Sequence, residues 1–459
     1  MNTLQLNRDK VEKERLDQEP FFKRELTFER ICLSRPMNYV VMTFKVIGTI
    51  TSVQLKQALS KLTQKHFFLK TKIVLDEDGI AYLISEYTPD FQISSLEIYD
   101  ESGWMKEVEK YHMSLIEVFS GPLIRFCLIY FQNITYLVIN SHHSISDGIS
   151  LLNLGKDILK AISNEIESSK GLIPPIIDEK FIGKKFGTPI NRFLLKIINR
   201  LWKWHNPRFR LTAEKLRELH SKYWEMNSRC KFYAWDLNMS QTAEFTKRCK
   251  QEHVTVHSGL ATALLLAQLK VMGDLKPYFR LFHMPINLRN KFNPPISEVL
   301  SFFALSIIIS HKLSLNRSFW ENARSLHALI RKHMASTKFW KLFTVNLFDP
   351  NLLDSIYFQR YGLFHDKLSK ILAQKMIPDD MVASLALTNL GLVKFDSEIG
   401  HFKIDAVYGP SVYVDILEKI FSVCTINGKM CFTLTFEEKG IANDTIISII
   451  NNIMDFLTE

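Results

Sequence analysis

The segment His142-His143-Ser144-Ile145-Ser146-Asp147-Gly148 brings together residue types suited to proton transfer. An imidazole that is neutral near pH 7 is a natural general base toward a hydroxyl or an amine. Two adjacent histidines at the end of a strand point to opposite sides while strand geometry persists. One can then enter a cavity while the other packs or hydrogen-bonds. Asp147 follows His143 by four residues, and Gly148 permits a tight backbone path. A carboxylate that close can hold an imidazole tautomer, or it can form an ion pair that shapes the loop. A metal site is the first competing reading. Adjacent histidines rarely bind one ion, and no Glu-x-x-His or cysteine set stands nearby to complete one, so no metal is expected. The bland alternative is a histidine satisfied within the core.

The surrounding pattern supplies elements that would position this segment. A strand is expected over 38–46, followed by a helix opened by Thr51 and Gln54 as a capping box. Leu55, Ala58, Leu59 and Leu62 recur at helical spacing and give that helix one buried face. Strands are expected over 72–74 and 81–85, with a turn at 76–79, and a helix over 104–119. Two apolar strands, 123–130 and 135–140, lead into the histidines, and a helix over 149–162 leads away. Apolar residues on both faces imply strands buried inside a sheet.

The second half repeats this build. Strands are expected over 232–237, 278–284, 301–310 and 384–387, with helices from 240, over 256–270, over 318–333 and over 444–457. Asn427-Gly428 marks a two-residue hairpin turn between strands 421–426 and 429–436. The reading is two mixed α/β halves of similar build, each a sheet with helices.

Composition narrows the class. The chain has 459 residues, 46% hydrophobic and 23% charged, which excludes a disordered or fibrous protein. The longest near-apolar run, 300–309, falls well short of the roughly 20 residues of a spanning helix. The first 20 residues hold no apolar core, so no secretory signal is expected and the chain reads as cytoplasmic. Six scattered cysteines fit neither a zinc pattern nor a disulfide framework and read as reduced thiols.

The net charge of +10 hints at an acidic partner such as phosphate or lipid head groups. Residues 171–229 carry 13 Lys/Arg against 5 Asp/Glu and look like a crossover between the halves. Within it, Phe193, Leu194, Ile197, Ile198, Leu201, Trp202 and Trp204 alternate with Arg192, Lys196, Arg200 and Lys203. Such a helix over 192–204 either packs on the body with its charges in solvent or lies on an anionic membrane. Docking of a partner protein is a third reading. No motif beyond charge supports nucleic acid, and none is expected.

The histidine segment resembles the H-H-x-x-x-D-G motif of the chloramphenicol acetyltransferase-like superfamily. That group includes condensation domains, alcohol acyltransferases and polyketide-associated acyltransferases. Further stretches are similar to family landmarks, in the family's order. They are Gly48 with Lys65-His66-Phe67-Phe68-Leu69-Lys70-Thr71, Gly121-Pro122-Leu123-Ile124-Arg125, Pro285-Ile286-Asn287-Leu288-Arg289 and Thr388-Asn389-Leu390-Gly391. Phe67 and Lys70 replace the family's Pro and Arg. The D-F-G-W-G motif of the plant branch is missing, the nearest position being Gly409-Pro410.

The resemblance implies an α/β (α+β two-layer) fold of two chloramphenicol acetyltransferase-like domains with mixed sheets and a channel between them. Residues 1–170 would form the first half, 171–230 the basic crossover and 231–459 the second half. It implies His143 as general base, with His142, Asp147, Gly148 and Arg289 as structural residues of the site. Asp147 would pair with Arg289 across the halves and act structurally, not as a triad acid. A backbone N–H near Gly148 or the Asn389 side chain would serve the oxyanion.

The implied reaction is direct acyl transfer from an acyl-CoA or acyl-carrier thioester to an alcohol or amine, with no acyl-enzyme and no tightly bound cofactor. An O-acyltransferase acting as a monomer is the favoured reading. A stand-alone amide-forming condensation enzyme and a non-catalytic binding relative are the alternatives.

Overall fold

A computed structural model of the chain describes residues 22–85, 88–165, 171, 173–273, 280–296, 298–336, 338–377 and 383–459. The N-terminal stretch read for a secretory signal lies outside them. So do residues 278 and 279, the start of one expected strand.

In chain order the first elements are β1 (Lys23–Glu25), β2 (Tyr39–Ile47), α1 (Ser52–Leu62), β3 (Lys72–Leu75), β4 (Ala81–Ile84) and β5 (Gln92–Glu97). α2 (Trp104–Met113), β6 (Ile124–Phe131), β7 (Ile134–His142) and α3 (Gly148–Ile162) follow. The crossover is helical, with α4 (Glu179–Ile182), α5 (Pro189–His205) and α6 (Ala213–Met226). Then come β8 (Cys230–Leu237), α7 (Met239–Gln251), α8 (Val256–Met272), β9 (Leu281–Asn287), β10 (Ala304–Ser310), α9 (Phe319–Ala335), α10 (Pro350–Arg360) and α11 (Lys367–Met376). β11 (Leu385–Leu392), β12 (Glu398–Ile399), β13 (Phe402–Val412), β14 (Lys419–Ile426), β15 (Lys429–Glu437) and α12 (Asn443–Thr458) close the chain.

Two six-stranded mixed sheets organise these elements. The first runs β12-β13-β2-β7-β6-β5 and the second β10-β9-β11-β14-β15-β8, with a small sheet β1-β4-β3 beside the first. β13 and β12 come late in the chain yet join the first sheet, where β13 pairs antiparallel with β2. β14 then returns to the second sheet, so the 413–418 segment ties the lobes together. Each sheet carries its own apolar core. Trp202 of α5, Leu216 and Leu219 of α6, and Leu352 and Ile356 of α10 pack on the first.

Local chemistry explains the frame. Thr51 Oγ1 accepts from the Gln54 amide while the Gln54 side chain caps Thr51, and Leu55, Ala58, Leu59 and Leu62 are buried. Asn427 and Gly428 both have positive φ, 52° and 73°, as a type I′ turn requires. Gly155 lets α3 sit down on β2. A Cβ there would lie 2.1 Å from the Phe44 ring, closer than any packing tolerates.

Two expectations change in the structure, and the orientation of Trp202, left open by the sequence, is decided. The helix expected over 104–119 stops at Met113, with Ser114 extended. The next residues serve tertiary partners instead: the Ile116 amide donates to Tyr39 Oη, and the Val118 carbonyl accepts from the Ile73 amide. The strand expected over 301–310 starts at Ala304, because the amides of Ser301 and Phe303 donate to side chains of the other lobe. Trp202 does not face outward with the apolar residues of its helix. It is buried, and its Nε1 donates to Ser369 Oγ at 3.1 Å.

Candidate active site

The register of β2 against β7 sets where the histidines fall. Tyr39 opposes His142 in the last rung of the pair, and β7 ends there. The His142 ring packs edge-on to Tyr39, with centroids 6.1 Å apart. Its Nδ1 accepts from the Ser144 amide at 3.2 Å, which places the ring proton on Nε2. Burial and the neighbouring His143 push its pKa down to about 3, so it stays neutral.

His143 lies one residue beyond the strand, and its amide donates to the Asn38 carbonyl. Its Nδ1 lies 2.7 Å from the Ser146 carbonyl oxygen. A carbonyl can only accept, so Nδ1 carries the proton and Nε2 carries the free lone pair. The half-buried ring meets Phe302 of the second lobe edge-on at 4.8 Å. Burial holds the imidazole below the ordinary histidine value. The Ser146 carbonyl and the Asp147 carboxylate oppose that effect, and the Arg35 guanidinium reinforces it. The ring is therefore neutral at pH 7.

Asp147 turns away from His143 and caps α3, its Oδ1 accepting from the Ser150 amide at 2.9 Å. Arg289, 142 positions downstream, grips it at two points. Nη1 donates to Oδ2 at 2.7 Å and Nη2 to Oδ1 at 3.1 Å. The Phe303 amide adds a bond to Oδ2 at 2.9 Å. Burial alone would raise the Asp147 pKa. The Arg289 charge and these hydrogen bonds overcome that and hold the carboxyl below its usual range.

Ser150 completes the joint. Its Oγ accepts from Arg289 Nη2 and from the Ser301 amide, and donates to the Ser301 carbonyl at 2.6 Å. Arg289 is itself oriented by Asn287, whose Oδ1 accepts from the Arg289 amide at 3.0 Å. Gly148 opens α3 against Pro410 of β13, where a Cβ would lie 2.5 Å from the proline Cγ.

The structure thus brings His143, Asp147, Gly148 and Arg289 together at the junction of the lobes, with His142 packed behind. Asn389 differs. It sits at a bulge in β11, and its Oδ1 accepts from the Gly391 amide at 2.8 Å, as in a local turn. Residue types alone gave no signal for Ser150, Phe302 or Arg35. Ser150 lies three residues after the capping Asp147, a spacing that could have singled it out. All six cysteines are buried and unpaired. Among the described residues, no group of three or more His, Cys, Asp or Glu is arranged to hold a metal.

Residues 30–170, the part that holds the histidine segment, match the Condensation domain family. This match supports the resemblance to the chloramphenicol acetyltransferase-like, condensation-domain superfamily. Over 160 residues it is 30% identical to bacitracin synthase 1 of Bacillus licheniformis, covering 33% of this chain and only 3% of that protein. The two-lobed condensation-domain fold extends along nearly the whole chain. The trichothecene 15-O-acetyltransferase TRI3 of Fusarium sporotrichioides superposes with a TM-score of 0.64 at 12% identity, covering 95% of both chains. The first condensation domain of the calcium-dependent antibiotic synthetase superposes with a TM-score of 0.61 at 9% identity, covering 95% of this chain and 97% of that one. Similarity to condensation domains bears on acyl transfer or condensation in general.

Proposed function

We propose that the protein is an acyltransferase that moves an acyl group from a thioester, on CoA or a carrier protein, to a hydroxyl acceptor. His143 Nε2 takes the acceptor proton as its oxygen attacks the thioester carbonyl. The tetrahedral intermediate collapses to ester and thiol without an acyl-enzyme. The observation that carries this reading is the His143 tautomer: Nδ1–H is committed to the Ser146 carbonyl, which leaves Nε2 basic at the lobe junction. Neutrality at pH 7 supports it, because only the unprotonated ring can act as the base.

In this reading residues 1–170 and 231–459 are the two halves of the enzyme and 171–230 is the crossover. Asp147, Ser150 and Arg289 hold the halves in register and keep the His143 loop in place. Gly148 lets α3 start against β13, and Asn389 remains a candidate donor through its Nδ2.

Amide formation is the second reading. It is favoured by the sequence match to the condensation-domain family and to bacitracin synthase 1. One experiment separates the two. Thiol release from acyl-CoA donors of increasing chain length, and from an acylated carrier protein, is measured with alcohol and with amine acceptors, and products are identified by mass. Ester products support the proposal, and amide products alone replace it with the second reading.

A further inference from the structure

Helix α5 (Pro189–His205) carries two apolar faces, and only one of them is used. Leu195 and Trp202 are buried against the body. Ile190, Phe193, Leu194, Ile197, Leu201 and Trp204 are left in solvent, between 41% (Ile197) and 74% (Trp204) exposed. At 3.6 residues per turn these six fall within an arc of about 100°, and their stripe is roughly 21 Å long. They form a ridge on the outside of the fold.

Lys196 and Arg200 are exposed along one flank of the ridge, and Lys184 and Lys185 are exposed in the segment just before the helix. Among the described residues neither Lys196 nor Arg200 has an ion-pair partner. Arg192 and Lys203 are already engaged, with Glu179 and with Asp78 and Asp349. Thr188 caps the helix and Pro189 opens it, so the stripe is preformed and needs no folding on contact.

We propose that this face of α5 docks the protein on an anionic phospholipid surface. A tryptophan, a phenylalanine and four aliphatic residues in one stripe suit the boundary between head groups and acyl chains. The unpaired cations beside them complement lipid phosphates and serine head groups. Self-association through the same face would bring like charges together. An acidic protein would answer the charges but would leave a convex apolar ridge without a groove to fill.

Sedimentation of the full chain with phosphatidylserine–phosphatidylcholine vesicles tests this. The protein should pellet at low salt, release as salt rises, and partition poorly onto pure phosphatidylcholine. Lys196→Gln with Arg200→Gln should lower partitioning about 25-fold, roughly fivefold per charge. Phe193→Ser with Trp204→Ser should abolish it. All four positions are solvent-facing and stand outside the catalytic joint, so turnover of a water-soluble acyl-CoA should stay unchanged. Absence of pelleting at low salt overturns the proposal. So does equal binding to neutral vesicles, or a dimer in sedimentation velocity that the Phe193→Ser, Trp204→Ser variant dissolves.

Discussion

Asp147 and Arg289 stand on opposite lobes and meet in a two-point ion pair, with Nη1 2.7 Å from Oδ2 and Nη2 3.1 Å from Oδ1. Both side chains are buried, at 4% and 5% exposure, so neither charge can turn to water when the other is removed. With the Ser150–Ser301 bonds and the His143–Phe302 contact, the pair joins the two lobes at the site. Asp147 caps the helix after the His143 loop, and Arg289 follows the last residue of β9 by two positions.

Removal of both partners should therefore cost less than the two single removals added together. Asp147→Asn or Arg289→Met alone should destabilise the protein by about 3–5 kcal/mol, the cost of an uncompensated buried charge. The double variant should lose less than the sum of the two. Urea unfolding of the four proteins closes the cycle, and strict additivity would mean that the contact carries no coupling.

Gly148→Ala should destabilise by about 1–3 kcal/mol, although alanine ordinarily favours a helix over glycine. The added methyl would meet Pro410 Cγ at 2.5 Å. A melting temperature equal to or above that of the parent protein would contradict this packing.

Acid should weaken the fold before it protonates ordinary carboxylates. His112 and His142 are held down to about 3, and His257 and His283 to about 4, chiefly by burial. The unfolded chain takes up these protons near pH 6.5 and the folded one does not. Stability is thus full above about pH 6.5 and falls as pH drops toward the folded values, each histidine adding up to about 1.4 kcal/mol per pH unit. Urea midpoints measured between about pH 7.5 and 5 should decline. His257→Leu should flatten the slope by close to one proton's share. A flat profile would contradict buried neutral histidines.

Activity should follow the opposite face of the same physics. Because His143 is held below the ordinary histidine value, the acid limb of kcat/KM should lie below pH 6.5. An acid limb above pH 7 would require a protonated ring in the free enzyme and would not fit the neutral tautomer.

Much of this arrangement was legible in the sequence. The apolar runs of β6 and β7, the capping box at Thr51 and the Asn427-Gly428 turn report their own local structure. The strand end at the histidines follows from the same patterns. What stayed hidden depends on contacts distant in the chain. Ser150 reads as an ordinary first-turn serine until Ser301 and Arg289 arrive from the other lobe. Trp202 and Trp204 look alike in sequence, and only the position of Ser369 and the first core decides that Trp202 turns inward. β13 joins the first sheet because β2 offers it an edge, which no local pattern announces. Asn389 is expected to serve the oxyanion, and its local bond from the Gly391 amide to Oδ1 forms only with the bulge in β11.

The most direct test of the account is thiol release by His143→Ala beside the parent and His142→Ala, each checked for native circular dichroism. With the donor and acceptor that give the parent its highest rate, His143→Ala should lose about 10²–10⁴-fold in kcat. His142→Ala should lose less, because its ring packs on Tyr39 and its Nδ1 serves the Ser144 amide. Near-parental turnover by a folded His143→Ala protein would contradict the claim that Nε2 of this residue takes the acceptor proton.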